Sequence, residues 1–543
     1  MAPPTEDCGW LLYLSLAAKC GDPQRLLGFA AVFVAACVVT SLLHWASPGG
    51  PAWGWYWWTR RAGLGIVRAA IPGPRGLPVV GSMGLMTGLA HRKLSAAAER
   101  QASRRRLMAF SLGETRVVVT ADLDVARELL ASAAFADRPV KESAYGLLFH
   151  RAIGFAPHGA YWRALRRVAS AHLFSPRQIA ASAAQRAAIA RQMVDATTTA
   201  AAHAPVVVAR RFLKRASLHN VMWSVFGRRY DLMADSREAE ELKALVDEGY
   251  DLLGQLNWSD HLPWLARFDL QKTRARCCAL VPRVNRFVGN IIGEHRARLG
   301  RGGDTAVMDF TDVLLSLQGD DKLSDADMIA VLWEMIFRGT DTVAVLIEWV
   351  LARLVLHQDV QSKVQEELDR VVGLGQAVTE SDTASLPYLQ AVIKEVLRLH
   401  PPGPLLSWAR LATSDVYVSG YLVPAGTTAM VNMWAITHDP SLWPEPMEFR
   451  PERFMGPAAE DVPIMGSDLR LAPFGSGRRS CPGKSLAVAT VGFWVATLLY
   501  EFKWLPPSDE PRGGGVDLSE VLRLSCEMAA PLEARVVPRH AVC

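Results

Sequence analysis

Residues 26–46 form a long apolar run, LLGFAAVFVAACVVTSLLHWA, that contains no Asp, Glu, Lys or Arg. A helix rises about 1.5 Å per residue, so a run of this length spans about 30 Å, the hydrocarbon thickness of a bilayer. A cleaved signal peptide has a shorter apolar region and a small-residue cleavage site. We therefore expect an uncleaved transmembrane helix, which makes the rest of the chain fold beside a membrane.

The charges on the two sides of this run predict its orientation. The segment before it balances basic against acidic residues, with Lys19 and Arg25 against Glu6, Asp7 and Asp22. The segment after it carries only basic residues as far as the proline-rich stretch, namely Arg60, Arg61, Arg68 and Arg75. The positive-inside rule then places the C-terminal part in the cytoplasm. A belt of aromatic side chains is expected at the interface, formed by Trp53, Trp55, Tyr56, Trp57 and Trp58.

The rest of the sequence predicts one large, mainly α-helical domain with small β-sheets. Residues 122–400 are mostly helical in pattern, while 107–121 predict a hairpin around Gly113 and 413–434 predict short strands. We therefore divide the chain into four predicted segments: a lumenal segment 1–25, the anchor 26–46, an interfacial and proline-rich linker 47–81, and a catalytic domain 82–543. The net charge is +5 and its basic residues are dispersed, a pattern that does not indicate nucleic-acid binding.

One of the eight cysteines stands apart from the others. None forms a CxxC pair, and most are interpreted as small buried apolar residues. Cys481, however, lies in the loop FGSGRRSCPG, residues 474–483, just before a long apolar helix. The glycines allow tight turns that aim amide groups at the sulfur, and the helix N-terminus adds a positive dipole end. Because a thiolate ligand needs such surroundings, we interpret the loop as a haem-thiolate loop.

Several motifs in order then carry a resemblance to a known family. The loop matches FxxGxRxCxG of the cytochrome P-450 superfamily, and the chain also contains WRALR (162–166), RGTDTV (338–343), EVLR (395–398) and PERF (451–454). The resemblance covers about residues 70–540 and implies the P-450 fold, with a haem b whose axial ligand is Cys481. The runs FRGTDTVA and WLLYLSLAAKCGDP resemble plant family 78, subfamily A, which is linked to organ and seed growth.

The motifs also imply roles for other residues. The resemblance assigns haem contacts to Trp162, Arg166, Arg410, Phe474, Arg479 and Gly483. Glu395 and Arg398 share one face of a helix because they are three residues apart, and Arg453 is expected to complete a buried structural ion set.

The apolar run 324–357, for which Ser324 is the expected N-terminal cap, is predicted to be one long helix. Gly339, Asp341 and Thr342 interrupt this run in its middle and form a polar gap. At this gap Thr342 is expected to hydrogen-bond dioxygen or a water, and Asp341 to help supply protons. The alternative for Thr342 is a hydrogen bond back to a carbonyl of its own helix. Ile336, Phe337 and Thr340 are expected to line the substrate pocket. Arg338 replaces the small residue usual in the superfamily, so it either points away or binds a carboxylate, on the substrate or inside the protein.

These features predict a membrane-anchored haem-thiolate monooxygenase of the endoplasmic reticulum that hydroxylates a small lipophilic substrate, such as a fatty acid, with O2. The sequence contains no evident flavin or nicotinamide motif, so electrons are expected from NADPH–cytochrome P-450 reductase. One alternative is an isomerase or dehydratase of the same fold that acts on a hydroperoxide, although such relatives typically lose the acid–threonine pair. Another is a non-catalytic haem-binding protein of the membrane.

Overall fold

The computed structural model describes residues 23–61, 70–100, 106–232, 234, 237–300, 309–373, 375–406, 409–456, 462–508 and 515–540. Most of the predicted lumenal segment therefore lies outside the described residues. As the sequence predicts, the described chain is mainly helical. Its helices are α1 (Pro23–Trp45), α2 (Pro51–Arg61), α3 (Ala90–Glu99), α4 (Leu123–Ala131), α5 (Glu142–Gly146), α6 (Ala160–His172), α7 (Pro176–Ala181), α8 (Ala183–His203), α9 (Ala209–Phe226), α10 (Arg237–Gly254), α11 (Thr273–Gly300), α12 (Phe310–Ser316), α13 (Asp325–Leu356), α14 (Gln358–Val372), α15 (Pro387–Leu399), α16 (Met433–Thr437) and α17 (Lys484–Glu501).

Short strands form small sheets beside the helices. They are β1 (Met108–Leu112), β2 (Thr115–Thr120), β3 (Val207–Val208), β4 (Arg410–Leu411), β5 (Val416–Val418), β6 (Tyr421–Val423), β7 (Thr428–Val431), β8 (Phe502–Leu505), β9 (Glu520–Leu522), β10 (Cys526–Met528) and β11 (Glu533–Pro538). The largest sheet has the order β1-β2-β7-β4, in which only β2 and β7 are parallel. The predicted hairpin around Gly113 is confirmed, with Phe110 opposite Val117.

Helix α13 runs through the middle of the domain. Its predicted cap is confirmed, since the Ser324 side chain accepts a hydrogen bond from the backbone N–H of Asp327. The helix is apolar around most of its circumference, as expected of a helix buried on several sides. It packs against α9 on one side and α17 on another, and its second half lies in the largest apolar core. Helix α17 starts directly after the cysteine loop (474–483), so this core also positions that loop.

The N-terminal part contains an exposed helix followed by a docked one. Residues Leu27–Trp45 are apolar and long enough to cross a membrane, and none of this window is buried. Helix α2, however, packs on β1, and this corrects the expected aromatic belt. Trp53 is fully buried and its indole N–H faces the carbonyl oxygens of Phe110 and Val117, at 3.1 and 3.3 Å. Only part of the aromatic group stays exposed, mainly Trp55 and Trp58.

A buried ion set joins α15 to the loops that lead towards the cysteine loop. Glu395 and Arg398 are both 0% exposed, and the two groups pair at 2.7 and 2.8 Å. Arg398 also donates to the carbonyl oxygens of Thr437 and Pro446. Arg453 reaches the same carboxylate at 3.0 Å. The structure thus brings together the three residues that the motifs single out.

We predict that Glu395→Gln destabilises the domain by about 3–5 kcal/mol, because it leaves the buried charge of Arg398 without its counter-ion. The measurement is urea unfolding of the full-length protein in detergent. The matched control is Glu366→Gln, the same chemical change at an exposed position of α14, which should cost less than about 1 kcal/mol. Equal effects of the two substitutions would contradict the assigned role of the ion set.

Candidate functional site

Several of the residues singled out by the sequence line one internal cavity. It is enclosed by the cysteine loop, by α6 and α13, by the loop that contains Ile153 and Gly154, and by the turn between β9 and β10. Cys481, Phe474 and Thr342 all line it. The chemistry of the site follows from how each of these elements is held.

The cysteine loop is held in shape by its glycines. Gly475 and Gly477 have φ values of +68° and +70°, a region that disfavours other residues. A Cβ atom on Gly477 would also collide with the carbonyl oxygen of Leu130. Inside the loop, the N–H of Cys481 donates to the carbonyl oxygen of Phe474 at 2.9 Å. The chain must therefore turn tightly here, and this turn presents the sulfur to the cavity.

The surroundings of Cys481 act on its thiol in opposite directions. Burial raises the pKa of the thiol, while the N–H of Gly483 and the nearby positive charges of Arg338 and Arg166 lower it. The N–H of Gly483, at the start of α17, thus supplies the amide contact that the sequence predicts. Metal ligation requires the deprotonated form, and a bound metal ion displaces the thiol proton.

Several guanidinium groups gather beside the sulfur. Burial lowers the pKa of Arg410 to about 10, and the positive charges of Arg479 and Arg166 add to this effect. Burial also lowers the pKa of Arg479 to about 10, with Asp137 opposing the shift. All three arginines line the cavity. Because buried like charges repel each other, this group favours a bound anion.

Arg138 belongs to this group, although sequence analysis did not single it out. It lines the cavity and donates to the carbonyl oxygens of Gly154 and Ala409. Its pKa is lowered well below the usual range by burial first, and then by Arg410, Arg479 and Arg338. An isolated arginine in a short irregular segment has no periodicity that would have marked it.

Trp162 has a different position from the one expected. Its indole N–H donates to the carbonyl oxygen of Ile153 at 2.9 Å, and the side chain is buried behind the cavity. The guanidinium of Arg479 lies over its ring, 4.3 Å from the centroid. In this structure Trp162 therefore positions Arg479, while Arg166 from the same motif lines the cavity itself.

Helix α13 presents one face to the cavity and another to the apolar core. The residues of α13 that line the cavity lie mostly three to four positions apart and are Glu334, Met335, Arg338, Gly339, Thr342, Val343 and Leu346. The expectation that Ile336, Phe337 and Thr340 line the pocket is wrong. Ile336 and Phe337 are core residues, and Phe337 stacks on Tyr250 at a centroid distance of 4.3 Å. The Thr340 hydroxyl donates to the carbonyl of Ile336. All three side chains are thus buried within the protein and do not line the cavity.

Gly339 and Thr342, two residues of the polar gap in α13, contact different parts of the structure. A Cβ atom on Gly339 would collide with Val221, so glycine allows α9 to approach closely. The Thr342 hydroxyl lies 3.5 Å from the carbonyl of Arg338, whereas the equivalent distance for Thr340 is 2.6 Å. The Thr342 hydroxyl is therefore held weakly by its own helix and is exposed to the cavity.

Asp341 lies next to Thr342 in sequence but faces another direction. Its carboxylate is mostly buried and contacts the ammonium of Lys214 at 3.0 Å. Lys214 comes from α9, the helix packed against α13. Asp341 is thus held as one half of an ion pair behind the helix face that carries Thr342.

Arg338 contacts an internal acid, which is one of the alternatives left open by the sequence. Its Nε lies 3.0 Å from Glu334, one turn earlier on α13, and Glu334 is buried. Glu334 also accepts a hydrogen bond from the N–H of Gly154 at 2.8 Å. Burial raises the pKa of Glu334, and the charge of Arg338 opposes this. An acid four residues before an arginine in an apolar helix was the signal that sequence analysis missed.

The cavity fits a haem by the chemistry of its lining. Cys481 offers one sulfur ligand, and Phe474 offers an apolar surface for a flat ring. The repelling guanidinium groups of Arg166, Arg410 and Arg479 would be neutralised by the two propionates of a haem. The residues present are therefore those that such a group requires.

Comparisons with known proteins agree with this chemistry. The family model described as "Cytochrome P450" matches residues 71–513. The chain is 60% identical to "Cytochrome P450 78A9" from Arabidopsis thaliana, over 97% of this chain and 98% of that protein. It is 59% identical to "Cytochrome P450 78A3" from Glycine max, over 99% and 100%. A more distant relative, 37% identical over 86% of this chain and 91% of its own length, is "Dimethylnonatriene synthase" from Zea mays.

We predict that Cys481→Ser abolishes the red-shifted absorption of the reduced carbon monoxide complex that thiolate ligation produces, because serine is a far weaker ligand at neutral pH. The measurement is the difference spectrum of the purified protein. Cys526→Ser is the control, since this buried thiol lies near His91 and Glu520 and is not among the residues that line the cavity. Retention of the thiolate spectrum in Cys481→Ser, or its loss in Cys526→Ser, would contradict the assignment.

Proposed function

Because the chain belongs to the cytochrome P450 family, whose members are haem-thiolate monooxygenases, we propose that it is a membrane-anchored enzyme that hydroxylates a small lipophilic substrate. The observation that carries this proposal is the cavity in which Cys481, the guanidinium groups and the exposed Thr342 hydroxyl meet. The similarity to subfamily 78A further leads us to propose a role in the control of plant organ or seed growth.

The residues of the cavity have separable tasks in this reaction. A bound haem supplies the chemistry by which one atom of O2 enters a C–H bond and the other leaves as water, with two electrons and two protons consumed. Cys481 would ligate the metal of this group, and its thiolate would donate electron density to the metal. Arg166, Arg410 and Arg479 would bind the carboxylates of the group by charge-assisted hydrogen bonds.

The protons enter through α13. The Thr342 hydroxyl is only weakly held by the helix, so it is available to donate a hydrogen bond into the cavity. Asp341, one residue earlier, can take up protons on the far side of the helix, where its partner is Lys214. Ordered proton delivery of this kind needs a donor within hydrogen-bonding distance of the group that receives the proton. The pair therefore favours a monooxygenase over an enzyme that rearranges hydroperoxides.

Electrons come from a partner protein in this proposal. The sequence contains no evident flavin or nicotinamide motif, so the chain needs an external donor. NADPH–cytochrome P450 reductase in the endoplasmic reticulum membrane is the partner we propose. The net charge of +5 is compatible with a negatively charged docking surface.

The anchor and a second surface support membrane association. Helix α1 contains a span long enough to cross the bilayer, and the basic residues after it favour a cytoplasmic domain. Four large apolar side chains are also exposed on a short segment between α10 and α11: Trp258, Trp264, Phe268 and Leu270. This segment packs on the β1–β2 turn, where the N–H of Glu114 donates to His261. We propose that this face rests on the cytoplasmic leaflet.

The lining of the cavity suggests the class of substrate. Apolar side chains from several elements contribute to it, among them Ile153, Leu346 and Leu524. The Arg338 guanidinium also lines the cavity, where it pairs with Glu334 of its own helix. We propose a lipophilic substrate that carries a carboxylate, such as a fatty acid.

The decisive test is metabolite profiling of membranes that contain the protein and reductase, with and without NADPH. A new hydroxylated product that needs NADPH is expected.

In the same assay we predict that Thr342→Ala retains haem, yet forms less product and more hydrogen peroxide per NADPH, because proton delivery loses its hydroxyl donor. Thr340→Ala, which removes a hydroxyl on the core side of α13, is the control and should leave this ratio unchanged. Unchanged coupling in Thr342→Ala would refute its role.

We also predict that Arg338→Gln weakens binding of a fatty acid about tenfold or more, while binding of its methyl ester is unchanged, because only the acid loses a charge-assisted bond. The measurement is titration of the haem spectral shift. The substitution also removes the cation that pairs with Glu334, so the double variant Glu334→Gln/Arg338→Gln serves as the control. If acid and ester weaken equally in the double variant, Arg338 does not recognise the carboxylate.

A further inference from the structure

One ammonium group in the structure is shared by two carboxylates from different elements. The Lys214 Nζ atom lies 3.0 Å from Oδ1 of Asp341 and 3.3 Å from Oε2 of Glu527. Both acids are mostly buried, with side-chain exposures of 10% and 8%. Burial lowers the pKa of Lys214, but the two acids together raise it above its ordinary value. The lysine is therefore held charged between them.

The two acids belong to parts of the site with different tasks. Asp341 lies on α13 directly before Thr342. Glu527 lies in β10, two residues after Ser525, and the turn that contains Leu524 and Ser525 forms a wall of the cavity. Lys214 itself is on α9, which packs closely along α13. Lys214 thus connects the β9–β10 hairpin, whose turn lines the cavity, to α13, which carries Asp341.

The β9–β10 hairpin (520–528) is also held through Glu520 of β9, which lies one residue pair away from Glu527 in the strand register. Glu520 pairs with Arg92 at 2.8 Å and with His400 at 3.2 Å. By contrast, the other cations near Glu527 are more distant, with Arg523 at 3.6 Å and Arg210 at 3.9 Å. Lys214 is therefore the nearest of these cations to the Glu527 carboxylate, and Arg210 donates to the carbonyl oxygen of the next residue, Met528, at 2.7 Å.

Without this lysine, negative charge would accumulate in a buried place. Asp341 and Glu527 contact the same nitrogen atom, so they lie close to each other. Asp247 of α10 adds a third acid, and its pKa is raised by burial while Lys243 and Lys214 oppose the shift. Tyr250 completes the surroundings and donates its hydroxyl to the carbonyl of Phe337. Removal of the Lys214 ammonium would leave the carboxylates of Asp341 and Glu527 to repel each other between α13 and the hairpin.

We infer that Lys214 is a positioning residue that couples the β9–β10 hairpin to Asp341. The lysine seats the hairpin against α13 and divides its charge between Glu527 and Asp341. A ligand that displaces Leu524 moves Glu527 away from Lys214. The ammonium of Lys214 then contacts Asp341 alone. Occupancy of the cavity thereby changes how tightly the acid is held. The consequence for proton delivery rests on the proposed function, whereas the coupling itself is a property of the folded protein.

The experiment is hydrogen–deuterium exchange of the full-length holoenzyme in detergent, read on peptides that cover the hairpin. In Lys214→Met we expect amide exchange in 520–528 to accelerate about tenfold or more, because a charge-assisted contact is lost and repulsion appears. Lys214→Arg should restore protection. Lys243→Met is the control: it removes a neighbouring positive charge that contacts Asp247 at 4.0 Å, and it should leave the hairpin unchanged.

A second substitution separates coupling from simple loss of structure. In Asp341→Asn we expect slower exchange in the hairpin than in the native protein, because Lys214 then belongs to Glu527 alone. In Lys214→Met/Asp341→Asn we expect exchange to return towards the native rate, because the repulsion is removed. If Asp341→Asn leaves hairpin exchange unchanged in both backgrounds, the coupling is absent. No turnover is measured, so failure of the proposed reaction would leave this result intact, and the reverse also holds.

Discussion

The buried pair of Glu395 and Arg398 is the interaction on which the rest of the site depends. Two opposite charges without solvent contact must satisfy every hydrogen bond inside the protein, since each unmet one is costly. Arg398 meets this need with carbonyl oxygens from the segment 437–448, and Arg453 reaches the same carboxylate. These loops therefore have little freedom relative to α15. The cysteine loop follows these segments in the sequence, so the ion set restrains the part of the chain from which that loop starts.

The cavity itself is stabilised by what binds in it. Arg138, Arg166, Arg410 and Arg479 lie close together, and burial lowers the pKa of all four. Repulsion by neighbouring arginines adds to this effect for Arg138, Arg410 and Arg479. A ligand with two carboxylates relieves this repulsion, so its binding free energy also adds to the stability of the folded chain. The fold thus stores an unfavourable charge cluster at the position where a dianionic cofactor supplies the compensation. The apolar core around α13 and α17 contributes the stability that offsets this unfavourable charge cluster.

The sequence predicted the kind of fold and most of the motif positions, but not which way side chains face. Helix α13 is apolar around most of its circumference, so periodicity could not tell its cavity face from its core face, and Ile336, Phe337 and Thr340 were placed on the wrong side. Composition likewise could not distinguish a tryptophan at a membrane interface from Trp53, which is buried against β1. Arg338 was recognised as unusual, yet its partner Glu334 became visible only from the contacts of the folded helix.

The division of α13 into faces also explains how neighbouring residues can have unlike tasks. Successive residues on a helix are about 100° apart. Thr342 and Val343 both line the cavity, whereas Asp341, on the other side of Thr342, does not. Thr342 meets the cavity, while Asp341 is directed to Lys214 and to the hairpin that closes the cavity. Lys214 links Asp341 to the hairpin through Glu527. In the function proposed above, substrate binding and proton supply would therefore depend on the same lysine.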